Sequence, residues 1–105
     1  MYQYNSISQS TFRTILEKHR NNYIIVDLRN KKVYNEYHIE NAIHIEYNDF
    51  MAMDDYSELI KENKDIILYC SSGGSSIYAS RKLQKFIDYR GLNIFAYSLE
   101  GGIQL

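Results

Sequence analysis

Cys70 is the one cysteine in 105 residues, and the six residues after it, Ser71-Ser72-Gly73-Gly74-Ser75-Ser76, are all serine or glycine. A lone cysteine excludes an internal disulfide, and with only His19, His38 and His44 beside it the chain offers no structural zinc set. Whatever Cys70 does, it does as a thiol. It follows the apolar run Asp65-Ile66-Ile67-Leu68-Tyr69 and precedes an amphipathic pattern from Ser76 to Arg90, with Ala79, Leu83, Phe86 and Ile87 inward and Gly91 as the stop. A strand, a loop of small residues and a helix in that order turn the free N–H groups of the helix's first turn toward the strand exit. Those groups and the positive end of the helix dipole favour an anion, and cysteines so placed have pKa values of about 3.5 to 7.5 instead of about 8.5. Gly73 and Gly74 permit the positive φ that curls successive N–H groups into a cradle, and Ser71, Ser72, Ser75 and Ser76 add hydroxyl donors of little bulk. A cysteine ending an inner strand can also be a small buried apolar residue and nothing more. Against that reading, a run of Gly and Ser buries almost no apolar area, so the loop has little packing purpose. Cys70 therefore reads as a nucleophile held as a thiolate.

The elements that must position it follow from periodicity. Ser8 is placed to cap a helix from Ser8 to Arg20, with Phe12, Ile15, Leu16 and His19 at helical spacing and Ile7 set to staple against Phe12. Tyr23-Ile24-Ile25-Val26-Asp27-Leu28 is apolar without alternation, the pattern of a strand buried on both faces. A helical turn around Lys31 to Tyr37, a short strand Ala42-Ile43-His44-Ile45, a helical stretch from about Asp49 to Ile60 and a last strand Asn93 to Tyr97 complete the reading. Strands alternating with helices predict an α/β fold, a central mostly parallel sheet of about five strands with helices on both faces and ligands bound beyond the strands' carboxyl ends. At this length one domain over residues 1–105 is expected.

Composition narrows the function classes. Hydrophobic residues at 45% and charged residues at 24% are ordinary globular usage, which argues against disorder. Twelve basic residues against thirteen acidic give a net charge of −1, without the basic excess that phosphate-backbone binding needs, so no nucleic-acid partner is expected. No apolar run reaches the ~18 residues of a membrane span. Met1 to Ser6 carry neither a basic nor an apolar targeting region, so a soluble protein of the reducing cytoplasm, away from membranes, is expected.

Taken together, these residues resemble the rhodanese-like domains, a family of single-cysteine sulfurtransferase modules. Val26-Asp27-Leu28-Arg29 is similar to the family's V-D-x-R strand end. Tyr34, His38-Ile39, Ala42-Ile43 and Ile45 follow the order of its Y-x-x-G-H-I-x-G-A-x-x-I segment. Cys70-x-x-Gly73 with Ser76, Ala79 and Leu83 resembles the active loop and helix, C-x-x-G-x-R-S-x-x-A-A-x-x-L, and Leu99-Glu100-Gly101-Gly102 resembles the late L-x-G-G turn. The resemblance is clearest over about residues 22–103. It implies a rhodanese-like fold, no cofactor, and a sulfurtransferase in which Cys70 carries sulfane sulfur as a persulfide. The donor would be a small-molecule or protein persulfide, and the acceptor a thiol or cyanide. The chain departs from the pattern where glycines are usual, at Tyr37 and Asn41, and at Glu46, where proline is common. It also departs at Ser75, where the family commonly carries an arginine whose fork would bind a sulfonate. That departure predicts that thiosulfate is a poor donor.

Around this centre the expectations are structural. Asp27 and Arg29, at a strand exit beside the Cys70 strand, are expected to form an ion pair or loop-anchoring hydrogen bonds. His38 reads as a scaffold residue, His44 as a solvent-facing strand position, Arg81 as solvated, and Tyr69 and Tyr78 as packing surfaces with wet hydroxyls. Neither histidine is expected to bind a metal. Two rivals remain in view: a cysteine-dependent phosphatase or arsenate reductase, which would need the cation that Ser75-Ser76 lacks, and a catalytically silent interaction module that keeps the fold.

Overall fold

The computed structural model describes residues 5–104. Five strands, β1 (Asn5–Ile7), β2 (Tyr23–Asp27), β3 (Ile43–His44), β4 (Asp65–Tyr69) and β5 (Ala96–Leu99), form one sheet in the order β1-β5-β4-β2-β3. Every pairing is parallel. Five α-helices connect them: α1 (Gln9–Lys18), α2 (Lys31–Glu36), α3 (Tyr47–Ala52), α4 (Ser57–Ile60) and α5 (Gly74–Tyr89). β4 lies at the centre of the sheet, so Cys70 leaves the most enclosed strand.

Because side chains alternate along a strand, β4 feeds two cores. Ile66, Leu68 and Cys70 join α3, α4 and α5 through Phe50, Tyr56, Leu59, Ala79, Leu83 and Ile87. Ile67 and Tyr69 join α1 through Phe12 and Ile15 on the opposite face. This double burial is why the β2 and β4 runs lack polar alternation. α1 begins as its sequence suggests: the Ser8 hydroxyl accepts from the Thr11 amide at 3.2 Å, and Ile7 and Phe12 share one cluster. The helix is shorter than the expected Ser8 to Arg20 because His19, whose N–H makes the last helical bond to the Ile15 carbonyl, leaves the helical conformation at φ −133° and ψ 21°.

Other elements also differ from expectation. The helical stretch from Asp49 to Ile60 is two helices, not one. Its break is held by polar groups, some local and one from α5: Asp55 accepts from the Ser57 amide and hydroxyl, and the Tyr56 hydroxyl and Lys82 ammonium donate to carbonyls of Phe50, Met51 and Met53. The last strand is Ala96–Leu99 and not Asn93 to Tyr97, because Gln84 bonds the Ile94 carbonyl and Asp65 the Phe95 amide before the ladder starts at Ile66 opposite Ala96. The second short strand is only Ile43–His44. The sheet also gains the edge strand Asn5–Ile7, paired on β5. The Met1 to Ser6 segment considered for targeting lies mostly outside the described residues. Among the described residues, no helix is long and apolar enough to cross a membrane.

At the departures near His38-Ile39 the backbone explains the residues. Asn41 takes φ 63°, the left-handed conformation that asparagine tolerates in place of glycine. Tyr37 is extended, with φ −167°.

Candidate active site

α5 begins at Gly74, two residues earlier than its apolar pattern suggests, so that its first turn closes directly over Cys70. Gly73 makes this possible. It caps the helix at φ 91°, and its amide points at Cys70 Sγ from 3.1 Å. The Ser76 hydroxyl lies 3.6 Å from the sulfur on the next turn. Burial, which alone would push the Cys70 thiol up, is outweighed by the Ser76 hydroxyl and by the Ser76, Ser72 and Gly73 amides, and the pKa is held below the ordinary thiol value. Cys70 is only 6% exposed, while Ser71, Ser72 and Gly74 above it are exposed. A sulfur anion is thus solvated by the protein in place of water, at the floor of a loop that itself faces solvent.

The cradle is braced from behind by the turn after β5. The Ile103 amide bonds the Cys70 carbonyl at 2.9 Å. A Cβ on Gly73 would lie 2.9 Å from the Gly101 nitrogen, and one on Gly102 would lie 2.3 Å from the Ser71 oxygen, so loop and turn touch backbone to backbone. Gln9, on α1, holds the turn by donating to the carbonyls of Glu100 and Gly102, the latter at 2.7 Å. Nothing in the local sequence around Gln9 marks that role.

Asp27 and Arg29 form the expected pair. Arg29 donates to both Asp27 oxygens, at 2.8 Å from a terminal nitrogen, while its backbone amide meets Oδ1 at 2.9 Å. Arg29 also donates to the Tyr37 carbonyl. Both side chains are buried, and none of their hydrogen bonds reaches the Cys70 loop among the described residues. Tyr69 completes the cluster and corrects an expectation: its hydroxyl is not wet but fully buried, donating to Asp27 at 2.7 Å and accepting from the Ile39 amide at 3.2 Å. Burial would raise the Asp27 pKa, and the bonds from Arg29 and Tyr69 outweigh it and hold the carboxyl below its usual range. This knot ties the β2 and β4 ends to the His38-Ile39 segment.

His38 is a scaffold residue, bonded through Nδ1 to the Tyr34 carbonyl at 2.8 Å. His44 is not solvent-facing as expected. It is half-buried, bonds the Arg29 carbonyl through Nε2 at 2.7 Å, and stacks on Tyr34 with His38 on the other face of that ring. Arg81 is likewise half-buried along α5 and not fully solvated, whereas Tyr78 is exposed. Among the described residues, no group of three or more His, Cys, Asp or Glu is placed to hold a metal. Two further residues at the centre were not singled out from sequence, Ser98 and Gln9. The Ser98 hydroxyl lies 2.7 Å from that of Ser76.

Comparison with known proteins identifies the family. The family model described as "Rhodanese-like domain" matches residues 8–105. The tRNA sulfurtransferase of Desulfurococcus amylolyticus is 35% identical over 80 residues, which cover 76% of this chain but 14% of that protein. The thiosulfate sulfurtransferase GlpE of Coxiella burnetii is 32% identical over 83 residues, covering 77% of this chain and 68% of the relative. Among solved structures, a rhodanese-related protein from Thermoplasma volcanium superposes with a TM-score of 0.68 at 25% identity, covering 96% of this chain and 88% of the other. A five-stranded parallel sheet with this order, a cysteine at the exit of its central strand and a family match over nearly its whole length make the chain a member of the rhodanese-like domain family.

Proposed function

We propose that this chain is a rhodanese-type sulfurtransferase in which Cys70 is the sulfur carrier. The carrying observation is the Gly73 amide aimed at Cys70 Sγ from 3.1 Å, together with the other donors that hold the thiol pKa down. Names of relatives support the same class: a tRNA sulfurtransferase and a thiosulfate sulfurtransferase both align over about three quarters of this chain.

The reaction runs in two displacements. The Cys70 thiolate attacks the outer sulfur of a donor, a new S–S bond forms, and the donor's S–S bond breaks with its electron pair leaving on the donor fragment. An acceptor thiolate then attacks the outer sulfur of the Cys70 persulfide, and the Cys70 thiolate is released unchanged. No general base is required for the first step once the thiol is ionised. The amides of the loop, preorganised around the sulfur, supply electrostatic stabilisation; for comparison, one oxyanion donor contributes about 2.7 to 4 kcal/mol elsewhere. The donor is a small-molecule or protein persulfide rather than thiosulfate, because the loop from Cys70 to Ser76 has no cation. Cytoplasmic residence, where thiols stay reduced, fits this chemistry.

Intact-mass measurement after treatment with a persulfide donor tests the reading. One added sulfur on the wild type, lost in Cys70→Ser, supports it. An unmodified wild type under a panel of donors overturns it in favour of a catalytically silent module.

A further inference from the structure

Ser98 sits where a polar residue has no packing reason to be. On β5 it alternates with Ala96 on the face toward α5, and it is 1% exposed. Burying a hydroxyl there is costly unless it finds a partner. Its one side-chain hydrogen bond among the described residues is the 2.7 Å contact with Ser76 Oγ.

The proton count around Ser76 gives that contact a direction. A hydroxyl has one proton to give and two lone pairs to receive. Ser76 Oγ has three polar neighbours: the Gly73 carbonyl at 3.2 Å, Cys70 Sγ at 3.6 Å and Ser98 Oγ. The carbonyl can only accept, and so can a Cys70 thiolate. Ser98 is the neighbour that can still give a proton when the sulfur is charged. With Ser98 donating, the Ser76 proton is released from that contact, and of its two remaining acceptors, the neutral Gly73 carbonyl at 3.2 Å and the sulfur at 3.6 Å, the charged sulfur is the stronger. With Cys70 as a neutral thiol, the S–H can donate to Ser76 instead, and the Ser76 proton turns to the Gly73 carbonyl or to Ser98. Ionisation takes one proton from the sulfur to solvent; the two serine hydroxyls keep theirs and only rotate.

We propose that Ser98 is a positioning residue that donates to Ser76 and thereby directs the Ser76 hydroxyl at the Cys70 sulfur when that sulfur is a thiolate. The inference rests on reading Cys70 as the thiolate nucleophile. It assigns the function of the second hydroxyl to the anion and not to the fold of β5.

Ultraviolet titration of the Cys70 thiolate in the reduced protein tests it. Ser98→Ala should raise the Cys70 pKa by about one pH unit, a tenfold weaker acid. Ser76→Ala should raise it at least as far, and the double variant no further than Ser76→Ala alone, since both act through one hydrogen bond. Ser98→Thr, which keeps the hydroxyl, should titrate with the wild type. Should Ser98→Ala fail to fold, the near-isosteric pair Ser98→Thr and Ser98→Val gives the same comparison. A folded Ser98→Ala that titrates with the wild type overturns the proposal, as does a Ser98 effect that persists in full in the Ser76→Ala background. Whether Cys70 accepts sulfur is read separately by intact mass on the wild type, so a failure of the transfer chemistry is not confused with a failure of the relay.

Discussion

Gly102 lies directly beneath the carbonyl of Ser71, so close that a Cβ would stand 2.3 Å from that oxygen and 2.4 Å from its carbon. Gly102 also has φ 79°, so a side chain there is disfavoured both by space and by backbone conformation. The loop over Cys70 is consequently shaped by a turn about thirty residues later in the chain. Gly102→Ala is expected to push Ser71 and Ser72 away and to break the Ile103–Cys70 backbone bond. Loop amides would then miss the sulfur. Sulfur-transfer rate should fall by two orders of magnitude or more, comparable to losing one preorganised donor, with a visible loss of thermal stability. Gly91→Ala is the control, because nothing lies within 4 Å of its Cβ although its φ is also positive. Equal transfer rates in the two variants would show that contact with Ser71 does not shape the loop.

The Asp27–Arg29–Tyr69 knot predicts an acid limit to folding. Asp27 has a folded pKa below its unfolded one, so its stabilisation is full above the unfolded value near 3.9 and is lost as pH falls through the lower, folded value. Asp27→Asn leaves the Arg29 charge buried without its counter-ion, and breaking a buried pair on one side costs about 3 to 5 kcal/mol. Denaturant unfolding at neutral pH should show that loss, and the variant should lose the part of the acid-induced destabilisation that belongs to Asp27. Tyr69→Phe removes one donor to Asp27 and leaves the Ile39 amide unpaired, so a smaller loss of about 1 to 3 kcal/mol is expected. Wild-type stability in Asp27→Asn would dismiss the knot as a stabilising element.

What could be read in the residues, and what could not, divides by range. Cys70, its loop and its strand stood out because burial on both faces leaves an unbroken apolar run at Asp65–Tyr69, and because serine and glycine in series have no packing value. The Asp27–Arg29 pair was legible since the partners are two residues apart. The rest depends on contacts distant in sequence. Tyr69 reads as a packing surface until β2 brings Asp27 to its hydroxyl, 42 positions away. Edge strand Asn5–Ile7 is too short for periodicity to mark, and it exists because β5 offers it a ladder. The Asp49 to Ile60 stretch carries helical spacing of apolar residues throughout, yet Lys82 and Tyr56 satisfy carbonyls at Phe50 to Met53 and let the helix end there. Ser98 and Gln9 are ordinary residues in their local context, and only the fold sets them against the Cys70 loop.

Ser75 is the position where donor choice can be tested most directly. It stands half-buried in the first turn of α5, five residues past Cys70, where related loops commonly carry arginine. Thiosulfate brings a sulfonate beside the sulfur under attack, and the loop from Cys70 to Ser76 offers it amides and hydroxyls but no cation. A guanidinium would add a bidentate fork, and a hydrogen bond to a charged group contributes about 1.5 to 3 kcal/mol. Ser75→Arg should therefore raise kcat/KM for thiosulfate by roughly tenfold to a hundredfold, while turnover of an uncharged persulfide changes little. That contrast between the two donors is the informative reading, since a general change in loop order would move both. Efficient thiosulfate turnover by the wild type, with no gain in Ser75→Arg, would mean that the backbone cradle already holds the sulfonate and that the serine does not set donor preference.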